Sequence, residues 1–214
     1  MERVCIIVDS GNFYHLVLKK LGIQDIDFDF EKFINFLADG REIIKEGKRF
    51  YVATVRENHE SKQAMSRQTT LFTTLANSKW VIKTSKLKTR IEKIKIDKRM
   101  VDCQKLLNLG INEIEYMRSR EKGIDVKMAT DLIIGAIDKK YDTAILVSSD
   151  TDLVPALDLV RLRLKTKIEY IGFSILKNDT REETKPVPRM IGKTDIQRVL
   201  VESDIRPFII KKLF

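Results

Sequence analysis

The chain has 214 residues, 43% of them hydrophobic, which is enough for one sizeable domain with additions. Lys and Arg number 40 against 31 Asp and Glu, a net charge of +9, and such an excess favours a polyanionic partner, nucleic acid being the commonest. Two cysteines, Cys5 and Cys103, and two histidines, His15 and His59, with no CxxC, exclude a Cys/His zinc site and suit a reducing compartment. The run "VCIIV" (4–8) is too short for a signal h-region or a membrane span, so the expected location is cytoplasmic and no membrane partner is expected.

In chain order, "VCIIVDSGN" (4–12) is an apolar, β-branched run stopped by Asp-Ser-Gly-Asn, a buried strand entering a turn. Helical spacing follows from Phe13 to Gly22 and again over 29–39. "RFYVATV" (49–55) reads as a strand, 61–77 as a helix and "KWVIKTS" (79–85) as a strand. A basic stretch comes next, with Lys86, Lys88, Arg90, Lys93, Lys95, Lys98 and Arg99 set against Glu92 and Asp97. Residues 101–110 predict a short helix, 113–120 a strand and 125–140 a strong helix. "TAILVSS" (143–149) is nearly continuous in apolar residues, as expected of a strand covered on both faces. Residues 152–164 predict a helix with Pro155 in its first turn, where a missing N–H is tolerated. A last core strand spans 167–173, a loop with Pro186 and Pro188 spans 177–194, and 196–214 predicts a C-terminal helix bent or broken by Pro207. Strands alternating with helices imply an α/β fold with a mostly parallel sheet.

Functional sites of open α/β sheets lie at the carboxyl ends of the strands. Here two strands end in acid, "CIIVD" at Asp9 and "AILVSSDTD" at Asp150 and Asp152. "KGIDVKMATD" adds Asp125 at the start of a helix and Asp131 about two turns in. Each acid alone also reads as a local device: Asp150 or Asp152 as a helix cap, Asp9 as an Asx-turn residue, Asp125 as an N-cap, Asp131 as an exposed helical residue. If the elements are neighbours, the carboxylates converge, and like charges converge only where a cation neutralises them. An oxygen-only donor set suits Mg²⁺ or Mn²⁺.

Three ordered blocks, "IIVDSGNFY" (6–14), "KGIDVKMATDLI" (122–133) and "DTAILVSSDTDLVPAL" (142–157), together resemble the NYN domain family, in its LabA-like branch within the PIN-like nuclease superfamily. The resemblance runs from about residue 3 to residue 173. It implies a three-layer α/β/α, Rossmann-like domain over 1–175, with 86–120 as a basic insertion or hairpin region, and a loop with a C-terminal helical extension over 176–214. It also implies an acidic Mg²⁺ or Mn²⁺ cluster of Asp9, Asp125, Asp150 and Asp152, with Asp131 as a further member and Asn12 as the Asn that follows the first Asp. Ser149 stands where the family often has Gly.

The activity so implied is metal-dependent hydrolysis of RNA phosphodiesters, endonucleolytic in mode, on single-stranded or structured RNA. One or two metals would lower the pKa of a bound water and polarise the phosphoryl oxygens. Asp9 and Asp150 are expected to ligate directly, Asp125 and Asp152 through a second ion or water, and Asn12 to hydrogen-bond a carboxylate or the phosphate. The basic residues of 86–99, with Lys122 and Lys127, are expected to hold the RNA backbone, giving affinity without sequence reading. Tyr116, Phe13 or Trp80 would stack on a base if exposed, although the strand context of Trp80 favours core packing. The alternative is a non-catalytic RNA-binding module with a structural or regulatory metal. A homo-oligomer is compatible with the sequence. A DxD sugar transferase leaves Asp9 and "KGID" unexplained, an aspartyl phosphatase needs an acid where Gly11 stands, and GxGxxG is missing after the first strand.

Overall fold

The computed structural model describes residues 1–54, 62–86, 88–120, 123–179 and 181–210. Among them the strands are β1 (Arg3–Asp9), β2 (Glu42–Thr54), β3 (Val81–Lys86), β4 (Lys88–Lys95), β5 (Glu113–Arg120), β6 (Thr143–Val147), β7 (Lys167–Ser174) and β8 (Ile196–Val201). The helices are α1 (Ser10–Phe13), continued by a π-helical stretch over Tyr14–Leu18, then α2 (Phe30–Ala38), α3 (Lys62–Asn77), α4 (Cys103–Asn108), α5 (Ile124–Ile137), α6 (Val154–Asp158), α7 (Pro188–Gly192) and α8 (Glu202–Ile205). None is long and apolar enough to cross a membrane.

Six strands form one sheet in the order β3-β2-β1-β6-β7-β8, and every neighbouring pair is parallel. Helices cover both faces, which gives three layers and explains why β1 and β6 are apolar almost throughout. The two-residue period of β1 sorts the layers. Val4, Ile6 and Val8 join Phe13, Phe33 and Leu71 in one core; Cys5 and Ile7 join Met128, Leu132 and Leu157 in the other. Counted within the sheet the order is 3-2-1-4-5-6, the doubly wound order, and the chain reverses direction across the sheet between β1 and β6.

β2 is longer than its apolar part predicts. Its charged first half pairs with the start of β1, then a bulge at Glu46 (φ 63°) shifts the register between Val4 and Ile6. β4 and β5 form a separate antiparallel ribbon, with α4 in the connection between them.

The expected C-terminal helix over 196–214 is corrected at its start. Ile196–Val201 is a strand, paired parallel to β7 at the edge of the sheet. Ile196, Val199 and Val201 are β-branched, and an open edge offers them a hydrogen-bond ladder that local helical spacing cannot match. Among the described residues of this stretch, helical turns survive only over Glu202–Ile205 and Arg206–Phe208; 211–214 lie outside the described residues. Phe208 returns to the first core, its ring centroid 5.3 Å from that of Phe33.

α5 packs tightly over Tyr141. A Cβ built on Gly135 would lie 2.5 Å from the Tyr141 ring, which is buried and held by its hydroxyl donating to the Leu132 carbonyl. Gly135→Ala is therefore expected to lower stability by about 1–3 kcal/mol, although alanine is the better helix former. Urea unfolding measures it; an unchanged or raised midpoint would show that the ring gives way.

Candidate metal and phosphodiester site

β1 delivers Asp9 to the carboxyl edge of the sheet, on the face that Cys5 and Ile7 share with α5. The same period puts Ser148, just beyond β6, on the face of Leu146. The two meet across the point where the sheet order reverses, the crevice where doubly wound sheets bind ligands.

Asp9 is 7% exposed, and both its oxygens accept hydrogen bonds. Oδ1 accepts the Asn12 amide at 3.0 Å, which makes Asp9 the N-cap of α1. Oδ2 accepts the Ser148 hydroxyl at 3.0 Å. Ser148 Oγ in turn accepts the Asp150 amide at 3.2 Å, and Asp150 Oδ1 accepts the Asp152 amide at 2.8 Å, capping the turn Thr151–Leu153. The local capping roles of Asp9 and Asp150 are thus real, and they fix the position of both carboxylates.

Asn12 and Ser149 bind the edge together. Asn12 Oδ1 accepts the Ser149 amide at 2.9 Å, joining α1 to the β6 loop. Ser149 Oγ lies 2.8 Å from the Tyr170 hydroxyl on β7. The Asn12 side-chain oxygen therefore holds the backbone beside the acids, while its backbone N–H donates to the Asp9 carboxylate.

Burial pushes the Asp9 carboxyl up to about 6; the hydrogen bonds from Asn12 and Ser148 oppose this, and the charges of Asp125 and Asp150 add to it. Those two charges are the electrostatic trace of the convergence expected from sequence. Asp125 reaches this edge because Gly123, at φ 94°, turns the chain into α5 and leaves Asp125 in its first turn. Asp152 is exposed on the turn after Asp150. Asp131 is committed elsewhere: its carboxylate accepts the Tyr51 hydroxyl at 2.7 Å and lies 3.6 Å from Lys83 Nζ.

Among the described residues, no three His, Cys, Asp or Glu side chains stand together as a ready metal cluster. The donor chemistry nevertheless fits a hard divalent cation. Asp9, Asp125 and Asp150 supply only carboxylate oxygen, and their mutual repulsion is what such an ion relieves. Mg²⁺ keeps several of its waters and needs only one or two direct carboxylates.

The NYN domain family model matches residues 3–188. The chain belongs to the NYN domain family. Membership points to the PIN-like nuclease superfamily, and the NYN family is associated with RNA substrates. β8 lies beyond the matched residues and adds the sixth strand to the sheet. The chain is also similar to the crystal structure of a protein of unknown function from Vibrio parahaemolyticus, with 17% identity, 95% of each chain covered and a TM-score of 0.56. That likeness is one of fold. Curated proteins give no significant match.

The basic residues expected on the NYN domain are placed unevenly. Lys127 sits in the first turns of α5, exposed, donating to the Thr84 carbonyl at 2.6 Å, and so belongs to the edge that carries Asp125. Arg90 lies across the ribbon from Arg118, while Lys95 lies opposite Glu113. Lys93 is paired with Glu113 and Glu115, and Arg99 with Asp97 at 2.6 Å. Lys98 is exposed. Lys122 lies outside the described residues, as do the side chains of Lys86 and Lys88. β5 thus brings acids alongside part of the basic stretch. Of the aromatic residues, Phe13 and Trp80 are buried in the first core, Trp80 with its indole N–H donating to Glu31 at 2.9 Å, so neither can stack on a base. Tyr116 donates to Glu92 on the ribbon.

Sequence reasoning missed Ser148 as a partner of Asp9. The signal was present: Ser148 is two residues beyond Leu146, and β1 and β6 are the strands most completely apolar, hence neighbours at the centre of the sheet.

Proposed function

We propose that this NYN domain protein is a divalent-cation-dependent ribonuclease of the LabA-like type that cuts RNA internally, in the cytoplasm, with Mg²⁺ or Mn²⁺ as cofactor. The observation that carries the reading is Asp9, buried at the switch point with the charges of Asp125 and Asp150 upon it. NYN and PIN-like nucleases are typically divalent-metal dependent, and the two cysteines are free thiols. When bound, the cation supplies an activated water and a polarised phosphoryl oxygen.

The chain's own residues do the rest. Asp9 and Asp150 would hold the ion, Asp125 and Asp152 would hold its waters, and one of these would orient the attacking water. Ser148 fixes the Asp9 carboxylate so that little reorganisation is left for the reaction. Asn12 and Ser149 keep the β1 and β6 edges in register. Lys127, with the ribbon cations, would draw the RNA backbone toward an otherwise repulsive acidic edge.

A second reading, an RNA-binding module without turnover, is favoured by one observation: both oxygens of Asp9 already accept hydrogen bonds from the chain. End-labelled single-stranded RNA incubated with Mn²⁺, Mg²⁺ or EDTA separates the two. The nuclease reading expects internal cuts that need metal and disappear in Asp150→Asn. RNA bound but uncut by the wild type with either metal would favour the binding module.

A further inference from the structure

The carboxyl edge of the sheet carries a second concave feature, away from α5. Ser10 and Gly11, the two residues after Asp9, form one wall of a cavity of about 390 Å³. The remaining walls come from the helical stretch after α1, the turn at Asp25, the end of β2 and the first turns of α3. The volume lies in the range of small-ligand sites.

The lining is specific in chemistry. The rings of Tyr14 and His15 meet at 76° with centroids 5.5 Å apart, an aromatic corner. Val52 gives an apolar wall, and Asp25 and Arg67 give polar ones. A phosphate suits this poorly, because the Asp25 carboxylate repels it and Arg67 Nη1 already donates to Gln24 Oε1 at 3.3 Å. A flat ring with N–H groups on its edge suits it well: the face stacks on an aromatic ring, and the carboxylate accepts from the edge. Single-stranded RNA offers such rings with their pairing edges free.

We propose that this cavity captures one unpaired nucleobase of the RNA strand whose phosphodiester lies at Asp9, with preference for a base bearing an exocyclic amino group. The placement of the phosphodiester rests on the ribonuclease reading; base capture does not require cleavage. A uracil offers Asp25 only its N3–H, flanked by two carbonyl oxygens that the carboxylate repels, and is disfavoured; adenine, cytosine and guanine present amino groups. Tyr14 stacks on the base, and Asp25 reads its edge.

The test is binding of fluorescently labelled RNA in EDTA, where no metal-dependent cleavage proceeds. An oligouridine carrying a single adenine should bind the wild-type chain about tenfold more tightly than the all-uridine strand. Tyr14→Ala should erase that advantage, Tyr14→Phe should keep it, and Asp25→Asn should shrink it, with thermal melts confirming that each variant folds. Equal affinity of the wild type for both strands would overturn the proposal, and this comparison needs no variant. An advantage retained in a folded Tyr14→Ala would overturn it too. Metal-dependent cleavage with no base preference sinks the cavity alone; base preference with no cleavage under Mg²⁺ or Mn²⁺ sinks the nuclease reading alone.

Discussion

Asp9→Asn should cost at least about a hundredfold in metal-dependent RNA cleavage and, in the same protein without metal, raise the melting temperature. The first effect rests on the proposed nuclease reading, in which Asp9 is the central hard oxygen donor. The second follows from what the charge costs when no cation is present. The folded Asp9 carboxyl titrates at about 6, because burial and the charges of Asp125 and Asp150 outweigh the hydrogen bonds from Asn12 and Ser148. In the unfolded chain an aspartate titrates near 3.9. Between roughly pH 4 and 6 the folded state therefore holds a proton that the unfolded state does not, and stability falls as pH rises through that window. Above it the charged form costs about 2–3 kcal/mol. An asparagine carries no such cost, and its amide oxygen still accepts from Asn12. At pH 8 in EDTA the variant should melt about 5–10 °C above the wild type, the gap closing toward pH 4. Calorimetry at the two pH values measures it. A variant that melts lower at pH 8 would mean that the Asp9 charge is compensated within the chain and needs no cation.

Glu169→Ala should lower stability by about 3–5 kcal/mol, and on the proposed nuclease reading the cleavage by the folded fraction should be untouched. Glu169 is 1% exposed at the start of β7, at the sheet end opposite the site. It lies 2.7 Å from Arg41 Nη1 and 2.6 Å from Arg198 Nε. Arg41 also donates to the Ala38 and Leu37 carbonyls, at 2.9 and 3.0 Å, and so satisfies the end of α2; Arg198 comes from β8 and donates to the Leu37 carbonyl as well. One carboxylate thus joins α2, β7 and β8. Its removal leaves two largely buried guanidinium groups facing each other without a counter-ion. The melting temperature should fall by about 10 °C, and β8 should lose amide protection before the central strands. A fall of only a degree or two, or uniform loss of protection, would show that β8 is held by its ladder and Phe208 alone.

Both effects turn on residues that differ in how visible they were. Asp9, Asp150 and Asp125 stand at the junctions of strongly patterned elements, and patterns of that kind locate strand ends and helix starts without tertiary information. The mostly parallel α/β sheet was legible for the same reason: "VCIIV" and "TAILV" are apolar on both faces, as strands of a doubly covered sheet are, and the resemblance to the family added the three layers. Glu169 was hidden inside "KIEYIGF", where a lone acid in an apolar strand gives no sign of two arginines arriving from 128 residues upstream and from the next strand. The segment 196–201 misled because β-branched residues at mixed spacing satisfy a short helix or an edge strand equally well. The bulged first half of β2 was hidden by its charge.

The amino-acid sequence by itself determined the order of the main strands and helices as far as β7, the acids at their ends and the basic balance of the chain, because these are local patterns of polarity and charge. Only the tertiary structure decided which acids converge. It set Asp9 against Ser148, turned Asp131 toward Tyr51 and Lys83, drew β8 onto the sheet and buried Phe13 and Trp80. The physical reason is that those outcomes depend on long-range contacts. A carboxylate's neighbours, and hence its charge state, are set by how elements pack, and an edge strand's existence is set by the ladder waiting beside it.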